Sequence, residues 1–158
     1  MIDETQVPDR QTLIIPALRG LYGRLAPFSY AMMRVMMGLV LLPSGIDKMF
    51  FGGVARIVAN NVLKTGLEPP LFWGWLVGGL EFFGALLLIA GLWTRPVAFA
   101  LTIQMLVITY RIRIDDGFFL TPKGGGMEIT ILLAMICFAL VLGGSGRYSL
   151  DRRIGREF

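Results

Sequence analysis

The sequence contains no histidine and only one cysteine, Cys137. Without imidazole there is no histidine-ligated haem, no histidine-bound zinc and no Ser-His-Asp or Cys-His catalysis. One cysteine cannot form a disulfide, a CxxC redox pair or a cysteine zinc site within one chain. Cys137 lies in an apolar run and reads as a small buried hydrophobe. Charge is scarce too. Charged residues are 16% of the 158, against roughly 25% in soluble domains. Hydrophobic residues are 55% and the mean hydropathy is +0.68. The length fits one domain, and the composition fits one whose solvent is lipid. The excess of 15 Lys and Arg over 11 Asp and Glu does not form an aromatic-laced basic patch. It punctuates apolar segments, so we expect interfacial charge and no nucleic-acid binding.

What is present is a series of apolar spans. A crossing helix needs about 20 residues, and candidates lie at about 27–49, 70–94, 96–110 and 127–142. The third is short and ends at Arg111, whose long side chain can snorkel. Ahead of them, residues 1–10 read as disordered, without the pattern of a signal peptide. Residues 11–26 read as a plain tail or a short interfacial helix, with Leu13, Ile14, Leu18, Leu21 and Leu25 at helical spacing. Residues 53–66 predict a short amphipathic helix on the membrane surface, stopped by Glu68-Pro69-Pro70. The Gly124-Gly125-Gly126 run reads as a turn, because no Lys-Ser/Thr follows and no strand precedes. Trp73, Trp75 and Trp93 bracket the second span as an aromatic belt.

The expected fold is therefore an all-α integral membrane protein. It is a four-transmembrane-helix bundle with a short amphipathic interfacial helix between helices 1 and 2. An arm (1–26), a membrane domain (27–146) and a basic tail (147–158) follow one another. Eight basic residues (Arg10, Arg19, Arg24, Arg95, Arg147, Arg152, Arg153, Arg156) fall on one side and six (Lys48, Arg56, Lys64, Arg111, Arg113, Lys123) on the other. That places both termini in the cytoplasm, across a bacterial cytoplasmic (inner) membrane.

Arg34, Glu81 and Glu128 lie within or at the edge of these spans. An intramembrane charge costs about 2.5–3.5 kcal/mol on insertion scales, so such residues face the bundle and pair. Helical spacing puts Arg34, Gly38, Leu41, Gly45 and Lys48 on one stripe, and Gly74, Gly78, Glu81 and Ala85 on another. Small residues let helices approach closely. An Arg34–Glu81 pair is expected, with Lys48 or Arg111 as partner of Glu128. Two readings stay open for Arg34, Lys48, Glu81, Gln104 and Glu128. They are structural ion pairs, or they form a proton-handling or quinone head-group site. The cluster Met32, Met33, Met36 and Met37 reads as adaptable packing rather than a Cu(I) path. No metal site is expected.

Several segments carry a family resemblance in their order and spacing. They are Arg34, then Gly45-Ile46-Asp47-Lys48, then Glu81, then Gly91-Leu92-Trp93-Thr94-Arg95-Pro96. Asp116-Gly117-Phe118-Phe119, Gly125-Gly126-Met127-Glu128 and Gly144-Ser145-Gly146-Arg147-Tyr148-Ser149-Leu150-Asp151 complete the series. The chain resembles the DoxX family of small four-helix bacterial membrane proteins over residues 30–152. That family is similar to the membrane subunit of a thiosulfate:quinone oxidoreductase, and other members are associated with redox complexes. The resemblance implies that Arg34, Lys48, Glu81 and Glu128 are the polar positions that matter. Many members carry histidine after the third helix, where this chain reads Thr109-Tyr110-Arg111-Ile112-Arg113.

Three functions follow as expectations. The first is an accessory subunit that docks on and stabilises a larger redox complex, respiratory or photosynthetic. It would have no intrinsic cofactor and no catalysis of its own. The second is a quinone-binding subunit of a sulfur-compound:quinone oxidoreductase, with electrons supplied by a partner. The third is a small transporter, although no broken-helix or inverted-repeat pattern favours it.

Overall fold

The computed structural model describes residues 15–119 and 126–155, and these are helical wherever they are regular. Helix α1 (Arg19–Phe50) is 32 residues long. It absorbs Pro27 and Pro43, as membrane helices can. A left-handed Gly52 (φ +73°) turns the chain into α2 (Gly53–Ile57), π-helical turns (Val58–Val62) and α3 (Leu63–Thr65). Proline at the first turn starts α4 (Pro70–Ala90), where its missing N–H costs nothing. Gly91, at φ +70°, ends it. The Leu92 amide bonds the Leu87 carbonyl and the Gly91 amide the Leu88 carbonyl, the two bonds of a Schellman cap. α5 (Thr94–Ile108) continues through π-helical turns (Thr109–Arg113) and a 3-10 turn to Asp116. α6 (Glu128–Gly143) and the short α7 (Leu150–Ile154) follow.

α1 packs antiparallel along α4, and α5 along α6. The core joins Met37 and Leu41 of α1, Ala85 and Leu88 of α4, Leu101 and Met105 of α5, and Ala134, Cys137 and Leu140 of α6. Large apolar side chains such as Phe83, Phe99, Leu106, Leu132 and Met135 point outward and are exposed, whereas Arg34, Glu81 and Gln104 are buried. That inverts the arrangement of a water-soluble domain and suits a lipid solvent. Three helical runs, Gly20–Phe50, Pro70–Ala90 and Thr94–Asp116, are long and apolar enough to cross a membrane, and α6 is a shorter apolar helix.

Two boundaries differ from expectation. α1 begins at Arg19 rather than Pro27, so residues 19–26 are continuous with the first span and form no separate helix. Residues 1–14 and 156–158 lie outside the described residues, as do 120–125 with most of the glycine turn. The third run is 23 residues, not the short segment that Arg111 suggested. The π-helical turns carry it onward to Asp116. Arg111 donates to the Thr65 carbonyl and Arg113 to Asp116.

Candidate functional site in the apolar bundle

Close packing of α1 on α4 sets the site. A Cβ on Gly45 would lie 2.6 Å from the Phe82 backbone, and one on Gly38 2.7 Å from the Ala85 carbonyl oxygen. Gly78 admits Lys48, whose Cβ would be 3.1 Å from an added methyl, and Gly74 admits Val54 and Val58 of the following helical segment. The four glycines thus bring α1, α2 and the π-helical turns onto α4. At this contact Lys48 leaves α1 one turn after Ser44 and reaches the Glu81 carboxylate of α4.

Glu81 is 3% exposed. Its Oε2 accepts from Lys48 Nζ, and its Oε1 accepts from Gln104 Nε2 of α5 at 3.0 Å. Lys48 Nζ also donates to Ser44 Oγ at 2.8 Å. The structure therefore brings three sequence-predicted residues together: Lys48, Glu81 and Gln104. An ammonium and an amide answer one carboxylate in an apolar interior, where a lone charge is strongly unfavourable. Gln104 Oε1 is buried with no hydrogen-bond partner among the described residues. Beside the site, Arg56 Nη2 holds Asp47 at 2.7 and 3.0 Å. Both side chains are at least half exposed, so this pair contributes little beyond fixing α2 to the end of α1.

Arg34 is not part of this site, which corrects the expected Arg34–Glu81 pair. Lys48 takes the position, because Arg34 lies 14 residues earlier on α1, about 21 Å along the axis. Arg34 is 2% exposed. It donates to the Ser145 carbonyl and, at 2.7 Å, to the Tyr148 carbonyl. Any side chain on Gly91 would collide with its guanidinium. Asp151 completes this second cluster. Its amide bonds the Gly91 carbonyl at 3.0 Å. Its carboxylate accepts from the Trp93 and Thr94 amides at 2.8 and 3.1 Å, which caps the start of α5. Sequence reasoning missed this clasp, although its three pieces had been noted as separate segments. Glu128 opens α6, its amide bonded to the Phe118 carbonyl. The bases expected for it are placed elsewhere, Lys48 on Glu81 and Arg111 on Thr65.

The DoxX family model matches residues 29–113, the stretch that holds Arg34, Lys48, Glu81 and Gln104; Glu128 and Asp151 lie beyond it. An uncharacterized membrane protein of Mycobacterium tuberculosis is 31% identical over 141 residues, covering 83% of this chain and 84% of that protein. An uncharacterized protein of Haemophilus influenzae is 25% identical over 132 residues, covering 83% of this chain and 94% of the other. No solved structure matches the chain. A bundle with apolar residues outward and a paired carboxylate inward, matched over more than half its length, is that of a membrane protein, and the chain belongs to the DoxX family.

Proposed function

We propose that the protein is an accessory subunit of a larger redox complex in a bacterial inner membrane, crossing it four times with both termini in the cytoplasm. One observation carries the reading. α1 has 32 residues, about 48 Å at 1.5 Å per residue, against a hydrocarbon core of about 30 Å. The rest of the bundle ends near Tyr30, which abuts Gly143, and Phe28, which stacks on Tyr148. The preceding turns of α1 project past it with Leu21, Tyr22 and Leu25 about half exposed. Such an apolar overhang suits contact with another subunit. The composition agrees: there is no histidine for a haem and one cysteine where an iron–sulfur cluster takes four.

Extraction of the tagged protein at native expression level in mild detergent, then size exclusion with mass spectrometry of co-eluting proteins, tests the proposal. Elution in a large assembly at fixed stoichiometry is the expected result. Elution alone refutes it.

A quinone-binding subunit is the second reading, favoured by the unpartnered Gln104 Oε1 beside Lys48 and Glu81. Lys48 Nζ can donate to a quinone carbonyl, and Gln104 Oε1 can accept from a quinol hydroxyl. Quinone co-purifying with wild type but not with Glu81→Gln would favour this reading. No quinone in either would end it.

A further inference from the structure

A polar concavity lies at the other end of the bundle from the Arg34 clasp. It has a volume of about 370 Å³ and is lined by Thr65, Tyr110, Arg111 and Ile114. Its walls come from the end of α3 and from the π-helical and 3-10 turns that extend α5. π-helical turns cost hydrogen-bond geometry and gather at functional positions. Here they carry Tyr110 and Arg111 out of the bundle wall, with Tyr110 67% exposed.

Among the described side chains, the charge pattern of this end singles out one residue. Lys48 is paired with Glu81, Arg56 with Asp47 and Arg113 with Asp116. Arg111 has no carboxylate partner among the described residues. Its Nη2 donates at 2.6 Å to the Thr65 carbonyl, one of the last carbonyls of α3, which lack donors inside their own helix. The Thr65 hydroxyl donates to the Val62 carbonyl at 2.7 Å. A guanidinium has five N–H donors in a rigid fork. One fixes its orientation on α3, and the others edge an exposed concavity. Counting from Thr94, Arg111 lies 17 residues along the helical run, about 25 Å; against a core of about 30 Å this leaves about 5 Å to the far headgroup layer, a gap that a long arginine side chain closes by snorkelling.

We propose that this concavity binds a phosphate group, that of a membrane lipid headgroup. Arg111 takes the phosphate oxygens through its fork. Tyr110 lies against the glycerol region as an interfacial aromatic does, and Ile114 against the start of an acyl chain. The π-helical turns at Thr109–Arg113 supply the shape by carrying Tyr110 and Arg111 to the end of α3.

Native mass spectrometry of the full chain in mild detergent with added phosphatidylglycerol tests this. Wild type retains a lipid adduct. Arg111→Gln lowers its occupancy about fivefold or more, the effect of one interfacial cation. Arg113→Gln removes equal charge from a residue already paired and leaves occupancy unchanged. Tyr110→Ala keeps the Arg111–Thr65 bond and lowers occupancy too, so the proposal stands testable if Arg111→Gln misfolds. Millimolar inorganic phosphate that displaces the lipid would overturn the headgroup assignment in favour of a soluble phosphate. Unchanged occupancy in both Arg111→Gln and Tyr110→Ala, or an equal loss in Arg113→Gln, overturns the site.

Discussion

Replacing Lys48 with methionine tests the ion pair at the centre of the bundle. The substitution keeps the length and apolar stem of the side chain and removes only the ammonium. Glu81, with 4% of its side chain exposed, is then left with one neutral donor, Gln104 Nε2 at 3.0 Å. Removing one partner of a buried ion pair costs about 3–5 kcal/mol, because the other charge stays buried and unanswered. Lys48 keeps 14% of its side chain exposed, so some water reaches the pair and the lower end, about 3 kcal/mol, applies. Adding Glu81→Gln removes the stranded charge. The double variant then recovers most of the loss, since a neutral pair in an apolar interior is close to isoenergetic with a buried ion pair. The assay is equilibrium unfolding in mixed micelles, followed by tryptophan fluorescence, for wild type, both single variants and the double. The expected coupling energy is at least about 2 kcal/mol. A Lys48→Met cost below about 1 kcal/mol, or single effects that add within about 0.5 kcal/mol, would refute the claim that this pair holds α1 on α4.

The same unfolding assay checks three further expectations. Arg34→Lys keeps the charge but loses the planar fork that reaches both the Ser145 and Tyr148 carbonyls, so a loss of about 1.5–3 kcal/mol is expected. Because the clasp and the Glu81 site are far apart, this loss should add to that of Lys48→Met within about 0.5 kcal/mol; strong coupling would mean that Arg34 does reach Glu81. Asp151→Ala removes the acceptor of the Trp93 and Thr94 amides, at a cost of about 1–2 kcal/mol, and should speed proteolysis of the chain after residue 144. Gly45→Ala presses a methyl to 2.6 Å from the Phe82 backbone and should cost about 1–3 kcal/mol. Gly79→Ala meets nothing within 4 Å and should gain up to about 1 kcal/mol in helix propensity. Equal effects at the two glycines would disprove the close approach of α1 and α4.

Periodicity made the faces of the helices legible, but not their axial register. Gly38, Gly45 and Lys48 do lie on the α1 face that meets α4, and Glu81 and Gln104 do turn inward. The expected Arg34–Glu81 pair fails because the Arg34 guanidinium sits at Gly91, ten residues along the chain from Glu81 and so about 15 Å away along the α4 axis, more than an arginine side chain spans. Register in an antiparallel pair is set where backbones touch, and the close-packed glycines record it. Gly38 meets Ile89 and Gly45 meets Phe82, so seven residues forward on α1 are seven back on α4. Continued toward the amino end, the same register carries Arg34 past the end of α4 to the turn at Gly91, where its guanidinium lies. Continued the other way, it sets Lys48 between Gly78 and Glu81, the two α4 residues that it meets. One correctly aligned glycine contact would therefore have assigned both buried charges. Composition and spacing could not supply it, because a small residue states that a neighbour comes close without stating which one.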